Sequence, residues 1–218
     1  MTRETFQGQI KSLQEELLGM GCMVDTAITR SIQALAERDI ELARQIIEDD
    51  KIINRTQRDI EEKSLVLIAT QQPMAGDLRA IMCIVSLATE LERMGDHAEG
   101  IAKITLLMAD QPLLKPLIDI PRMAEIGREM LRGQLEAFIN QDVNSARRLA
   151  ERDEEVDDLY DQVFRELLVF MMDDPRTITR ATYLLWVAHN LERIADRTTN
   201  IGERVVFMVT GNVEELNP

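Results

Sequence analysis

Leu91-Glu92-Arg93-Met94-Gly95-Asp96 returns as Leu191-Glu192-Arg193-Ile194-Ala195-Asp196, 100 residues further along the chain. Around the first copy, Ile81, Ile84, Ala88, Leu91, Ala98 and Ala102 recur at steps of three, four and seven, the spacing of one buried helical face. Working outward, Pro73 is answered by Pro175 at an offset of 102, and Asp39 and Asp50 by Asp142 and Asp153 at 103. A drift of three residues, placed in the turns, accommodates the change. The chain therefore reads as all-α, two tandem pseudo-symmetric three-helix bundles with six long helices, residues 1–112 forming the first unit and 113–218 the second.

Proline punctuation supports this division. The prolines fall at 73, at 112, 116 and 121, and at 175 and 218, and leave long helical blocks between them. In the first block Phe6, Ile10, Leu13, Leu17, Met20, Val24 and Ala27 form a seam suited to left-handed bundle packing. Asp39 is placed to cap a second helix carrying Ala43, Ile46, Ile47, Ile53, Ile60 and Leu67, which ends at Gln71-Gln72-Pro73. A third helix is expected over about 75–109, followed by a linker over 111–121. A 30-residue helix is about 45 Å long, so an elongated molecule is expected.

The 218 residues include 45% hydrophobic and 29% charged side chains, a folded rather than disordered composition. With 39 acids against 25 bases the net charge is -14, which argues against nucleic acid as a partner. No run of 18 apolar residues is present, and Met1-Thr2-Arg3-Glu4 leads directly into an amphipathic pattern, so a cytoplasmic chain without a leader is expected. Cys22 and Cys83 lack paired spacing and read as buried free thiols. Met171-Met172 and Leu106-Leu107-Met108 read as core.

The informative acids sit where acids are unfavourable. Asp50, between Ile46 and Ile53, and Asp153, between Leu149 and Val156, occupy core-facing steps. Glu92 and Asp96 share a helix face, as do Glu192 and Asp196, although like charges four residues apart cost a few tenths of a kcal/mol. Small residues surround both pairs: Ala88, Gly95 and Ala98, then Ala188, Ala195 and Gly202. Two readings compete. In one, Arg93, Arg193 or other arginines bridge these acids between helices. In the other, each unit carries a carboxylate metal site for a hard cation, Mg, Ca, Mn or iron, with Asp157 extending the second site and Asn54 standing at its counterpart. Asp25 is a weaker candidate, because the equivalent residue is Arg128.

His97 is matched by Arg197, so a supporting or surface position is expected for it, and a packing role for His189. The Glu-x-x-His spacing of di-iron bundles is missing, as are phosphate-binding loops, nucleophile elbows and Cys/His zinc spacings. No catalytic residues are assigned, and a non-enzymatic protein is expected.

The paired Leu-Glu-Arg-x-x-Asp segments, Asp50-Lys51-x-x-Asn54, Asp77-Leu78-Arg79 after Pro73, and Met171-Met172 leading into Pro175-Arg176-Thr177-Ile178 resemble the PhoU family of phosphate-transport accessory regulators. The resemblance runs from about Thr5 to Gly211. It implies a negative regulator of the phosphate-starvation response, cytoplasmic and peripheral at the membrane. Its implied partners are the ATPase of the phosphate ABC transporter, the phosphate sensor histidine kinase and a second copy of itself in a homodimer. It also implies iron, zinc, manganese or magnesium on the acidic motif, here Glu92 and Asp96, and Glu192 and Asp196. Asp50, Asp153 and Asp157 join that set on their positions alone. A metal-storage or chaperone bundle is the alternative function.

Overall fold

The computed structural model describes residues 3–216. Its α-helices are α1 (Arg3–Glu37), α2 (Ile40–Gln71), α3 (Ala75–Met108), α4 (Asp119–Asn140), α5 (Val143–Ala150), α6 (Asp153–Asp173) and α7 (Ile178–Thr210), with a 3-10 turn over Pro175–Thr177 before α7. Helices α1, α2 and α3 form one bundle. Helices α4 to α7 form the other, and α3 packs extensively along α7 while α1 meets α4.

The seams behave as their periodicity predicts, with small shifts. Phe6, Ile10, Leu13, Leu17, Met20 and Val24 are buried, but the seam continues through Ile28 rather than Ala27. On α2, Ala43, Ile46, Ile53, Ile60 and Leu67 are buried and Ile47 only partly. Each Leu or Ile taken fully from water contributes about 1.5–3 kcal/mol, and the apolar interior is continuous across both halves. A surface of 11169 Å² for 24.9 kDa exceeds the roughly 10,200 Å² of a compact chain of that mass, as long side-by-side helices require.

Both halves turn their first corner in the same way. Arg38 (φ 56°) and Gln141 (φ 55°) adopt the left-handed conformation after α1 and α4. The next amides, of Asp39 and Asp142, donate back to Ala34 O and Ala137 O at 2.9 Å each, closing the helix ends. The two aspartates then cap the following helices, accepting from Leu42 N at 2.9 Å and Ser145 N at 3.0 Å. A left-handed non-glycine residue carries a cost that glycine does not. Gln141→Gly should therefore raise stability by about 0.5–1 kcal/mol in urea unfolding; a loss would mean that the Gln141 side chain contributes packing.

Several expectations need correction. The middle helix of the second half is not continuous: it breaks at Glu151-Arg152, so among the described residues a short α5 is added to the six long helices expected. The offset of 103 holds on both sides of the break, so no insertion causes it. The acids Asp153, Glu154 and Glu155 favour a helix start at that point. Helix α4 begins at Asp119, taking Pro121 into its first turn, where the missing amide costs no helical hydrogen bond. Cys83 is buried but Cys22 is exposed, one position off the seam. Met172 and Leu107 are 78% and 59% exposed, so those apolar runs supply surface as well as core.

Candidate functional site

Helix α2 places Asp50 against the face of α3 that carries Glu92, Asp96 and Glu99. Asp50 is only 6% exposed. One oxygen, Oδ2, accepts from Asn54 Nδ2 at 2.8 Å. The other, Oδ1, is shielded from solvent without a donor, as is Asn54 Oδ1. Reversing the Asn54 amide would set two acceptors against each other, so the orphaned oxygens remain. Gly95 permits this approach: a Cβ there would stand 3.1 Å from Asp50 Oδ1.

Asp50, Asp96 and Glu99 each offer an oxygen, all within 4.8 Å of one another. Burial first, then Asp96 and Glu99, push the Asp50 carboxyl up to about 6. Burial and then Asp96 raise Glu92, and burial and then Glu99 raise Asp96. Arg93 makes its ion pair outside the cluster, with Glu90 at 3.8 Å, and its charge and that of Arg58 only partly offset the rise at Glu92. Lys103 reaches Glu99 at 2.5 Å. The donor set is hard oxygen, and the two orphaned acceptors fit a cation of the Mg, Mn or iron kind better than they fit a void.

In the second half Asp153, fully buried, begins α6, and Asp157 lies one turn later. Glu192 and Asp196 on α7 lie near Asp157. Burial and then Asp196 raise both Asp157 and Glu192. Here Arg193 pairs with Asp196, but within α7 and three residues apart, so it is not a bridge between helices. His189, instead of packing inside, is exposed beside Tyr160, with Nδ1 3.2 Å from Glu192. Among the described residues, three donors converge within 4.8 Å in the first half alone.

Sequence reasoning missed Glu99. Its place three residues after Asp96 puts it on the same face, but its counterpart is Thr199, so a search for repeated acids passes over it. Conversely Asp157 has Asn54 as its counterpart. Each half thus has four acids, the fourth supplied by α3 in one and by α6 in the other. Asp25 belongs to neither set. Arg128 and Arg132 hold it at 2.9 and 3.2 Å between α1 and α4.

Residues at equivalent positions also meet along α3 and α7. Glu90 accepts from Arg197 at 3.3 Å and Asn200 at 3.2 Å, while the equivalent of Glu90, Asn190, bonds His97 Nδ1 at 2.9 Å. His97 therefore stands at the seam between halves, and burial lowers its basicity. Such reciprocal contacts are what an internal two-fold relation produces.

The PhoU domain family model matches the chain twice, over residues 17–105 and 120–205. A phosphate-specific transport system accessory protein PhoU homolog of Aquifex aeolicus is 40% identical over 205 residues, covering 94% of this chain and 93% of that protein. The homolog from Rhizobium meliloti is 39% identical over 207 residues, covering 94% and 87%. The crystal structure of PhoU from Pseudomonas aeruginosa superposes with a TM-score of 0.90 at 33% identity, over 95% of this chain and all of that one. That of the phosphate transport system regulatory protein PhoU from Streptococcus pneumoniae gives 0.89 at 34%, over 96% and 99%. With both halves matched and the whole helical arrangement shared, this chain belongs to the PhoU family.

Proposed function

We propose that this protein is an accessory regulator of a phosphate-specific transport system, acting as a non-enzymatic adaptor that represses the phosphate-starvation response when phosphate is plentiful. The observation that supports the reading is the near-full-length likeness to proteins named as accessory proteins of a phosphate-specific transport system, with both halves matched. The adaptor meets the ATPase of the transporter and the phosphate sensor kinase at the cytoplasmic face of the membrane. No helix among the described residues is long and apolar enough to cross a membrane, which suits peripheral attachment. A homodimer is the working form.

Asp50, Asp96 and Glu99, with Glu92 beside them, would hold a metal ion in the first half, and Asp153, Asp157, Glu192 and Asp196 one in the second. Iron, zinc, manganese and magnesium are the candidate ions. A bound cation would neutralise the clustered carboxylates and fix α2 against α3, and α6 against α7. Its part is in shaping the docking surface. Affinity capture of the tagged protein from cells grown in high phosphate should co-purify the transporter ATPase; capture that returns neither ATPase nor kinase, with metal present in stoichiometric amounts, would favour a storage bundle instead.

A further inference from the structure

Away from the acidic faces, a hollow of about 750 Å³ opens where the start of α3 meets α1 and the ends of α4 and α7. Arg79 and Lys11 line it. Arg79 is half-buried, and its Nε is shielded from water without a hydrogen-bond partner. Among the described residues no ion pair involves it, although the chain has an excess of acids. Asp77, on the same wall, accepts from Gln7 at 3.2 Å. Cys83, close enough to feel the Arg79 charge, is a buried neutral thiol. Lys11 is exposed and only loosely associated with Glu15, at 3.8 Å.

A guanidinium held in a cavity wall with a shielded donor unmet is costly unless an acceptor completes it. Its planar fork matches phosphate oxygens two at a time, and an ammonium nearby adds the second positive charge that a dianion requires. Helix α3 adds further donors. Met74 gives it no side-chain cap, so the first-turn amides at Gly76 and Asp77 open at the rim of the same hollow. We propose that this hollow binds a phosphoryl group, as free phosphate or carried on a small molecule, through Arg79 and Lys11. The volume is in the range of pockets that enclose whole small ligands.

The competing role for Arg79 is to face the carbonyl groups that end α7, since its Cζ lies 3.8 Å from where a Gly211 Cβ would stand. That role predicts no anion binding. Calorimetric titration of the full-length, chelator-treated protein at fixed ionic strength separates the two, using inorganic phosphate, pyrophosphate and AMP, with acetate as control. Saturable binding of a phosphoryl compound is expected, weakened at least tenfold by Arg79→Gln. Gly8 borders the hollow, and a Cβ there meets nothing within 4 Å, so Gly8→Glu should fold normally and reduce binding equally by placing a carboxylate at the wall. If Arg79→Gln does not fold, Gly8→Glu and Lys11→Gln decide the matter. Inorganic phosphate binding as tightly as AMP assigns the free anion; AMP binding more tightly assigns a carried phosphoryl group. No saturable binding, or binding that Gly8→Glu and Lys11→Gln leave intact, overturns the site. Binding abolished by Asp50→Asn while Gly8→Glu retains it would place the anion at the acidic cluster and also overturn the site.

Discussion

Metal-free protein carrying Asp50→Asn should melt several degrees above the wild type at pH 7.5 and lose the stabilisation that manganese or iron gives the wild type. The folded carboxyl titrates near 6, above its ordinary 3.8, because burial and the neighbouring acids oppose its charge. Folding therefore binds a proton between those values. The penalty is absent below pH 3.8, grows as pH rises towards 6, and is constant above. Its ceiling is about 3 kcal/mol, and one kcal/mol moves the melting point of a chain this size by about 2–4 °C. The gap between variant and wild type should thus widen from pH 4 to pH 7 in chelator. With saturating metal the order reverses, because a cation that binds only the folded state stabilises the protein that can hold it. A variant that melts below the wild type in chelator at pH 7.5 would show that the Asp50 charge is compensated by more than Asn54.

Leu91→Ala should cost about 3–5 kcal/mol and Leu191→Ala a similar amount, among the larger losses expected from single truncations in this chain. Leu91 and Leu191 are 0% and 1% exposed, on the two helices that pack along each other and against their own bundles. Neither cavity can collapse without moving a helix shared by both halves. Leu65→Ala, at 60% exposed, should change urea unfolding by less than about 0.5 kcal/mol. Equal losses at Leu91 and Leu65 would contradict the central place given to α3.

Much of this architecture is legible in sequence because its signals are local and doubled. The aspartate caps at Asp39 and Asp142, the seams of α1 and α2, and the core-facing steps of Asp50 and Asp153 all follow from periodicity. The break at Glu151-Arg152 is not visible, because α5 and α6 keep the register of α2 and no glycine or proline marks it. Partnership between acids and bases is also invisible. Arg93 and Arg193 are identical in motif, yet one turns towards Glu90 and the other pairs with Asp196. That choice depends on Asn190 standing where Glu90 stands in the other half, and on α3 and α7 bringing Arg197 to Glu90. The same reliance on repetition hid Glu99.

The asymmetry bears on the proposed metal sites. The first half leaves Asp50 Oδ1 and Asn54 Oδ1 unmet where three acids converge, whereas in the second, where Glu192 Oε2 is also without a hydrogen bond, Arg193 pairs with Asp196 and His189 lies beside Glu192. Elemental analysis should therefore find the first site filled more readily, and a variant with Glu92, Asp96, Glu192 and Asp196 changed to Ala should contain no metal. Metal retained by that variant would place the binding elsewhere.

The regulatory reading is tested most directly by deleting the gene and measuring phosphatase expression in phosphate-rich medium. Expression should be high in the deletion strain and return to its repressed level when the intact gene is restored. Repression that persists without the protein would contradict its role as the regulator.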